Sequence, residues 1–131
     1  RWQQQIRELG RQEGFVVTLA GRRRQLPDLR SKVWALRGNA ERAAINTPLQ
    51  GSAADIVMMA MVRIAHDSEL RELGWQMVLQ VHDEIVLEGP KASSERAAVI
   101  VRDLMEHPMN QPLLVDLNVD LKVADTWMDA K

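Results

Sequence analysis

Two strand-forming runs, Met77 to Val81 and Glu84 to Glu88, flank the polar pair His82-Asp83. No other feature constrains the fold as much, and it reads as a tight β-hairpin. The turn itself is chemically unusual. Two-residue hairpin turns favour Asn-Gly or similar pairs because positive φ angles are needed there, and His-Asp contains no glycine. A poor turn pair inside a strong hairpin implies that chemistry selected those side chains.

Helical and extended patterns surround that hairpin. Residues 2–12 are polar and helix-compatible, with Ile6 and Leu9 three apart and Gly14 as a stop. Phe15 to Leu19 reads as a strand, Ala20-Gly21 as a turn, and Arg22 to Pro27 as the return of a second hairpin. Residues 28–37 form a connector, and a helical pattern follows from Gly38 to Asn46, which Pro48 and Gly51 interrupt or kink. Ser52 to His66 is apolar nearly all round, which predicts deep burial, with Met58, Met59 and Met61 as core filler. After Gly89-Pro90, Ser93 or Ser94 caps a helix to His107, and Leu113 to Val119 reads as a last strand before a tail carrying Trp127. That order predicts an α+β fold.

An apolar fraction of 46% excludes a disordered tail, and 27% charged residues exclude a membrane span. With no cysteine, disulfides, thiolate zinc sites and cysteine nucleophiles are all excluded. The chain starts at Arg1 rather than methionine, which argues against an intact natural N-terminus, and no leader segment is visible in what is present. The net charge of −1 conceals a division: residues 1–42 carry +6 and residues 43–131 carry −7. A polyanion partner for the first part and metal-binding carboxylates in the second would account for it, as would a scatter of solvated charges.

Three groups have the makings of a site. His82, Asp83 and Glu84 place adjacent carboxylates at the hairpin turn, hard ligands suited to Mg²⁺ with phosphates and water. A turn that merely contains polar residues explains the same triplet. Arg42, Asn46 and Gln50 are four apart, so on a helix they share one edge among alanine and isoleucine. All three can donate to the purine N3 and pyrimidine O2 acceptors of a DNA minor groove without reading sequence. The other reading is a polar helix edge with Asn46 capping the next helix. Gly21-Arg22-Arg23-Arg24 is a basic turn suited to phosphates, or a solvated hairpin tip.

Together these residues resemble the C-terminal part of family A DNA polymerases, the bacterial DNA polymerase I type. Thr18 to Arg23, Leu26-Pro27-Asp28, Glu41 to Asn46, Pro48 to Asp55 and Gln80 to Glu84 occur in that family's order and at about its spacing, over nearly the whole chain. The ending, with Glu88-Gly89-Pro90, Leu114 to Leu117 and Trp127 to Lys131, is more similar to the plant and protist organellar enzymes, which suggests a mitochondrion or plastid. The resemblance implies an antiparallel palm-type sheet packed against helices, preceded by the end of a helical fingers region. Residues 1–37 would be that end and a connector, and residues 38–131 the C-terminal part of the palm.

By the same resemblance, Asp83 is one of two aspartates holding a pair of Mg²⁺ ions, Glu84 a supporting acid, and His82 a contact to the primer terminus. Arg42, Asn46 and Gln50 match the helix that follows the primer–template minor groove, and Arg22 and Arg23 join the DNA-binding set. The implied partners are primer–template DNA, deoxynucleoside triphosphates and the remainder of a polymerase chain, with no membrane. The upstream motif carrying the other aspartate and the sugar-discriminating residue is absent. So is the fingers helix that grips the triphosphate, since residues 2–12 offer Arg7 and Arg11 but no lysine or tyrosine. Residues 1–131 alone are therefore expected not to polymerise DNA. A non-catalytic structural or nucleic-acid-binding subunit derived from such a fragment is the alternative. A phosphohydrolase built on His82-Asp83 would need more ligands than His66 and His107 provide.

Overall fold

Gly14 ends the first helix in the computed structural model, which describes residues 1–130. Helix α1 (Trp2–Glu13) closes on a left-handed Gly14, φ 82°, whose N–H reaches the Gly10 carbonyl at 2.8 Å. Strands β1 (Phe15–Val17) and β2 (Arg23–Gln25) then pair antiparallel, Val16 opposite Arg24. β1 stops two residues before the expected end because Thr18 to Arg22 make the turn, with Gly21 at φ 81° donating to the Thr18 carbonyl.

Pro27–Arg30 form a 3₁₀ turn whose Leu29 is 1% exposed. Helix α2 (Trp34–Asn46) begins four residues before Gly38 and runs across the expected division at residue 37. Its first turn was invisible in the sequence because Trp34 and Leu36 face solvent, leaving no apolar periodicity to read. Ala40 and Ala44 face inward from the same helix and close a core of Val16, Leu26 and Leu29. Pro48 and Gly51 interrupt the α-helical pattern where expected, but without a break in the helical path. Thr47–Gly51 form a π-helical turn that keeps helical backbone angles on both sides and leads directly into α3 (Ser52–His66). Asn46 is itself helical and makes no side-chain cap.

The chain divides into two compact units, Arg1–Asp55 and Ile56–Lys131. In the second, α3 is not buried all round: Ala60 and Ile64 are enclosed, but Met58 is 60% and Val62 49% exposed. Helix α4 (Ser68–Glu72), unread in the sequence, is capped by the Asp67 carboxylate accepting from the Leu70 amide at 2.8 Å. Strands β3 (Gln76–Val81) and β4 (Glu84–Glu88) pair antiparallel with a bulge at Val78. Met77, Ile85 and Leu87 pack on Ile64, Leu70 and the inward face of α5 (Ser94–Glu106), namely Ala97, Ile100 and Val101. This is an α+β arrangement with an antiparallel sheet against helices.

Two expectations fail here. Ser93 stands at the α5 N-cap, but its hydroxyl makes no cap; it accepts from the Trp75 indole N–H at 2.9 Å. Residues 113–119 form no strand, and Leu114 and Val115 lie exposed, because no strand among the described residues lies beside them to complete a ladder. No helix among the described residues is long and apolar enough to cross a membrane.

Candidate metal and nucleic-acid sites

In the second unit, the register Val81 opposite Glu84 leaves His82 and Asp83 as a two-residue turn. His82 takes φ 55°, the one left-handed non-glycine residue among those described. Such a conformation costs about 1–2 kcal/mol for an L-residue with a bulky side chain. The Gln80 side-chain amide donates to the His82 carbonyl and braces the turn from its own strand. His82, Asp83 and Glu84 are all exposed, and no cation among the described residues pairs with either carboxylate. The donor set fits a hard divalent cation that keeps most of its water. No group of three or more histidine, aspartate or glutamate ligands gathers among the described residues. His66 and His107 bond back through Nδ1 to the Val62 and Asp103 carbonyls of their own helices.

In the first unit, the structure joins residues that the sequence kept apart. Asn46, Gln50 and the three arginines Arg22, Arg23 and Arg24 line one cleft of about 460 Å³, floored by Thr18, Thr47 and Gly51. Arg42 lies outside that lining; it is exposed, and its guanidinium donates to the Asn39 side chain. The three arginines are held differently. Arg22 donates from Nε to Asp55 Oδ1 at 2.5 Å and from Nη2 to the Gly51 carbonyl at 3.2 Å. The Arg23 guanidinium stacks 4.7 Å from the Phe15 ring centroid. Arg24 donates to the Thr47 hydroxyl at 3.2 Å.

Asp55 has a structural place that sequence reasoning missed. Only 3% exposed, it accepts from the Ala20 amide at 3.1 Å as well as from Arg22, while Ser52 Oγ accepts from the Leu19 amide at 2.8 Å. The first turn of α3 thus holds the β1–β2 tip. Burial by itself pushes the Asp55 carboxyl up. Hydrogen bonds from Thr18, Arg22 and Ala20, with the Arg22 charge, outweigh burial and hold it below the usual carboxylate value. The available signal was a lone acid inside an otherwise apolar helix, since a buried charge needs a partner.

The family model for DNA polymerase family A matches residues 1–129. The chain is 49% identical over 133 residues to DNA polymerase I B, chloroplastic/mitochondrial, of Arabidopsis thaliana, covering all of this chain and 13% of that protein. It is 47% identical to the thermostable DNA polymerase I of Thermus thermophilus, covering 99% of this chain and 15% of that protein. The chain therefore spans about an eighth to a seventh of the curated relatives it matches. Among solved structures it superposes, with a TM-score of 0.90 and 36% identity, on the POL domain of Pol1 from M. smegmatis in complex with DNA primer-template and dNTP. That match covers 98% of this chain and 22% of the mycobacterial one. With a chain-long family match and a shared fold, this chain belongs to DNA polymerase family A.

Proposed function

We propose that the chain forms part of the polymerising site of a DNA-directed DNA polymerase, acting in template-directed nucleotidyl transfer on primer–template DNA with deoxynucleoside triphosphates. The observation that carries this reading is the exposed His82-Asp83 turn, whose left-handed position holds histidine where glycine would serve the hairpin without strain. Asp83, with Glu84 beside it, would hold Mg²⁺, which in a two-metal site activates the primer 3′-hydroxyl and neutralises the leaving pyrophosphate. His82 meets the primer terminus. Arg42, Asn46 and Gln50 donate to minor-groove acceptors, and the tip carrying Arg22 and Arg23 meets the backbone.

The second aspartate and the triphosphate-gripping helix come from the remainder of the polymerase chain. Residues 1–37 belong to the end of the fingers and residues 38–131 to the palm. The mycobacterial structure bound to DNA primer-template and dNTP supports the substrate class, and the plant relatives named chloroplastic or mitochondrial support an organellar setting. Primer extension by the complete polymerase carrying Asp83→Asn tests the assignment. Activity is expected to fall about 100-fold or more, on the scale of losing one charge-stabilising group. Retained extension would remove Asp83 from the catalytic set.

A further inference from the structure

We infer that Arg22 acts on nucleic acid only through the loop it anchors, with Asp55 and Ser52 as positioning residues for that loop; this deepens the polymerase reading and rests on it. In sequence, Arg22, Arg23 and Arg24 are three equivalent cations. In the structure they are not equivalent. Arg22 spends Nε on Asp55 and Nη2 on the Gly51 carbonyl, so an approaching phosphate meets a neutral pair rather than a free charge. Asp55 and Ser52 also take the Ala20 and Leu19 amides, and Thr18 Oγ1 takes the Arg22 amide at 3.1 Å. The loop from Thr18 to Arg22 is therefore held by side chains of the α3 first turn. Arg23, over the Phe15 ring, and Arg24, on the neutral Thr47 hydroxyl, pair with no acid among the described residues and keep their charge for phosphate.

Counterion release separates the two roles, because each cation that neutralises a phosphate adds about 0.9 to the slope of log K against log salt. The complete polymerase is titrated with a primer–template duplex across about 50–200 mM salt. Arg23→Gln is expected to flatten the slope by about 0.9. Arg22→Gln is expected to weaken binding about fivefold, the scale of one lost hydrogen bond, with the slope unchanged. Arg22→Lys should behave like Arg22→Gln, since an ammonium keeps the charge but cannot reproduce the two-pronged contact. Asp55→Asn frees the Arg22 charge and should steepen the slope by about 0.9.

A slope flattened by Arg22→Gln as much as by Arg23→Gln would overturn the inference, as would full affinity in Arg22→Lys or an unchanged slope in Asp55→Asn. Those results would leave the polymerase reading standing. Wild-type binding that is flat with salt and indifferent to Arg23 would remove both. Urea unfolding of each variant confirms that the comparison is between folded proteins.

Discussion

Replacing Gly51 by alanine tests the seating of the β1–β2 tip on the α2–α3 junction. Gly51 sits in the π-helical turn with ordinary negative φ, so its backbone tolerates alanine. The entropy of the unfolded chain would even favour the change by about 0.4–1 kcal/mol. The added Cβ, however, would stand 2.6 Å from Thr18 Cγ2. Carbon atoms rest at about 3.5–4.0 Å, so one side must move by about 1 Å. Thr18 is 8% exposed and its hydroxyl is engaged with Arg22, which leaves it little room to rotate.

Overpacking of this kind costs about 1–3 kcal/mol, and the net expectation is a loss of about 1–2 kcal/mol. Thr18→Ser deletes the offending methyl and keeps the hydroxyl. The next neighbours of the new Cβ are then Thr47 Cγ2 at 3.7 Å and the residue 18 Cβ at 3.8 Å, both ordinary contacts. Gly51→Ala should therefore be neutral or stabilising in the Thr18→Ser background. A double-mutant cycle by urea unfolding, with amide exchange followed at Leu19 and Ala20, measures the coupling, expected at about 1 kcal/mol or more. Additive effects, with Gly51→Ala costing the same in both backgrounds, would refute the contact as drawn.

His82→Gly removes the cost of a left-handed non-glycine residue and should stabilise the β3–β4 hairpin by up to about 1 kcal/mol, while primer extension slows; thermal melting and activity read the two sides. Leu70→Ala, at a position 1% exposed, should cost about 2–5 kcal/mol by urea unfolding. Because the folded Asp55 carboxyl lies below its unfolded value, its contribution is full above the unfolded pKa and is lost as pH falls through the folded one. Unfolding measured downward from about pH 5 should show that loss in the wild type and a flatter profile in Asp55→Asn.

What was legible in the sequence was whatever depends on local pattern. The β3–β4 hairpin follows from two strand-forming runs around a two-residue break, the α1 stop from Gly14, and the α5 helix from its start at Ser93 or Ser94 after Gly89-Pro90. The first turn of α2 was hidden because its large apolar residues face solvent, and α4 because one buried leucine and an aspartate cap are too short a signal. Leu113 to Val119 had the composition of a strand, but a strand also needs a neighbour to pair with.

The candidate site divides in the same way. By itself, the sequence determined the residue types, their order and their spacing, hence the carboxylate pair at a hairpin tip, the donor edge of α2 and the basic turn. Only the tertiary structure decided which of these share a surface. It set Asn46 and Gln50 in the cleft of the three arginines and left Arg42 outside. It also turned Arg22 from a free cation into the partner of a buried acid 33 residues away. Periodicity and composition are properties of neighbours along the chain. The partner that neutralises a charge, or satisfies an amide, is chosen by packing across it.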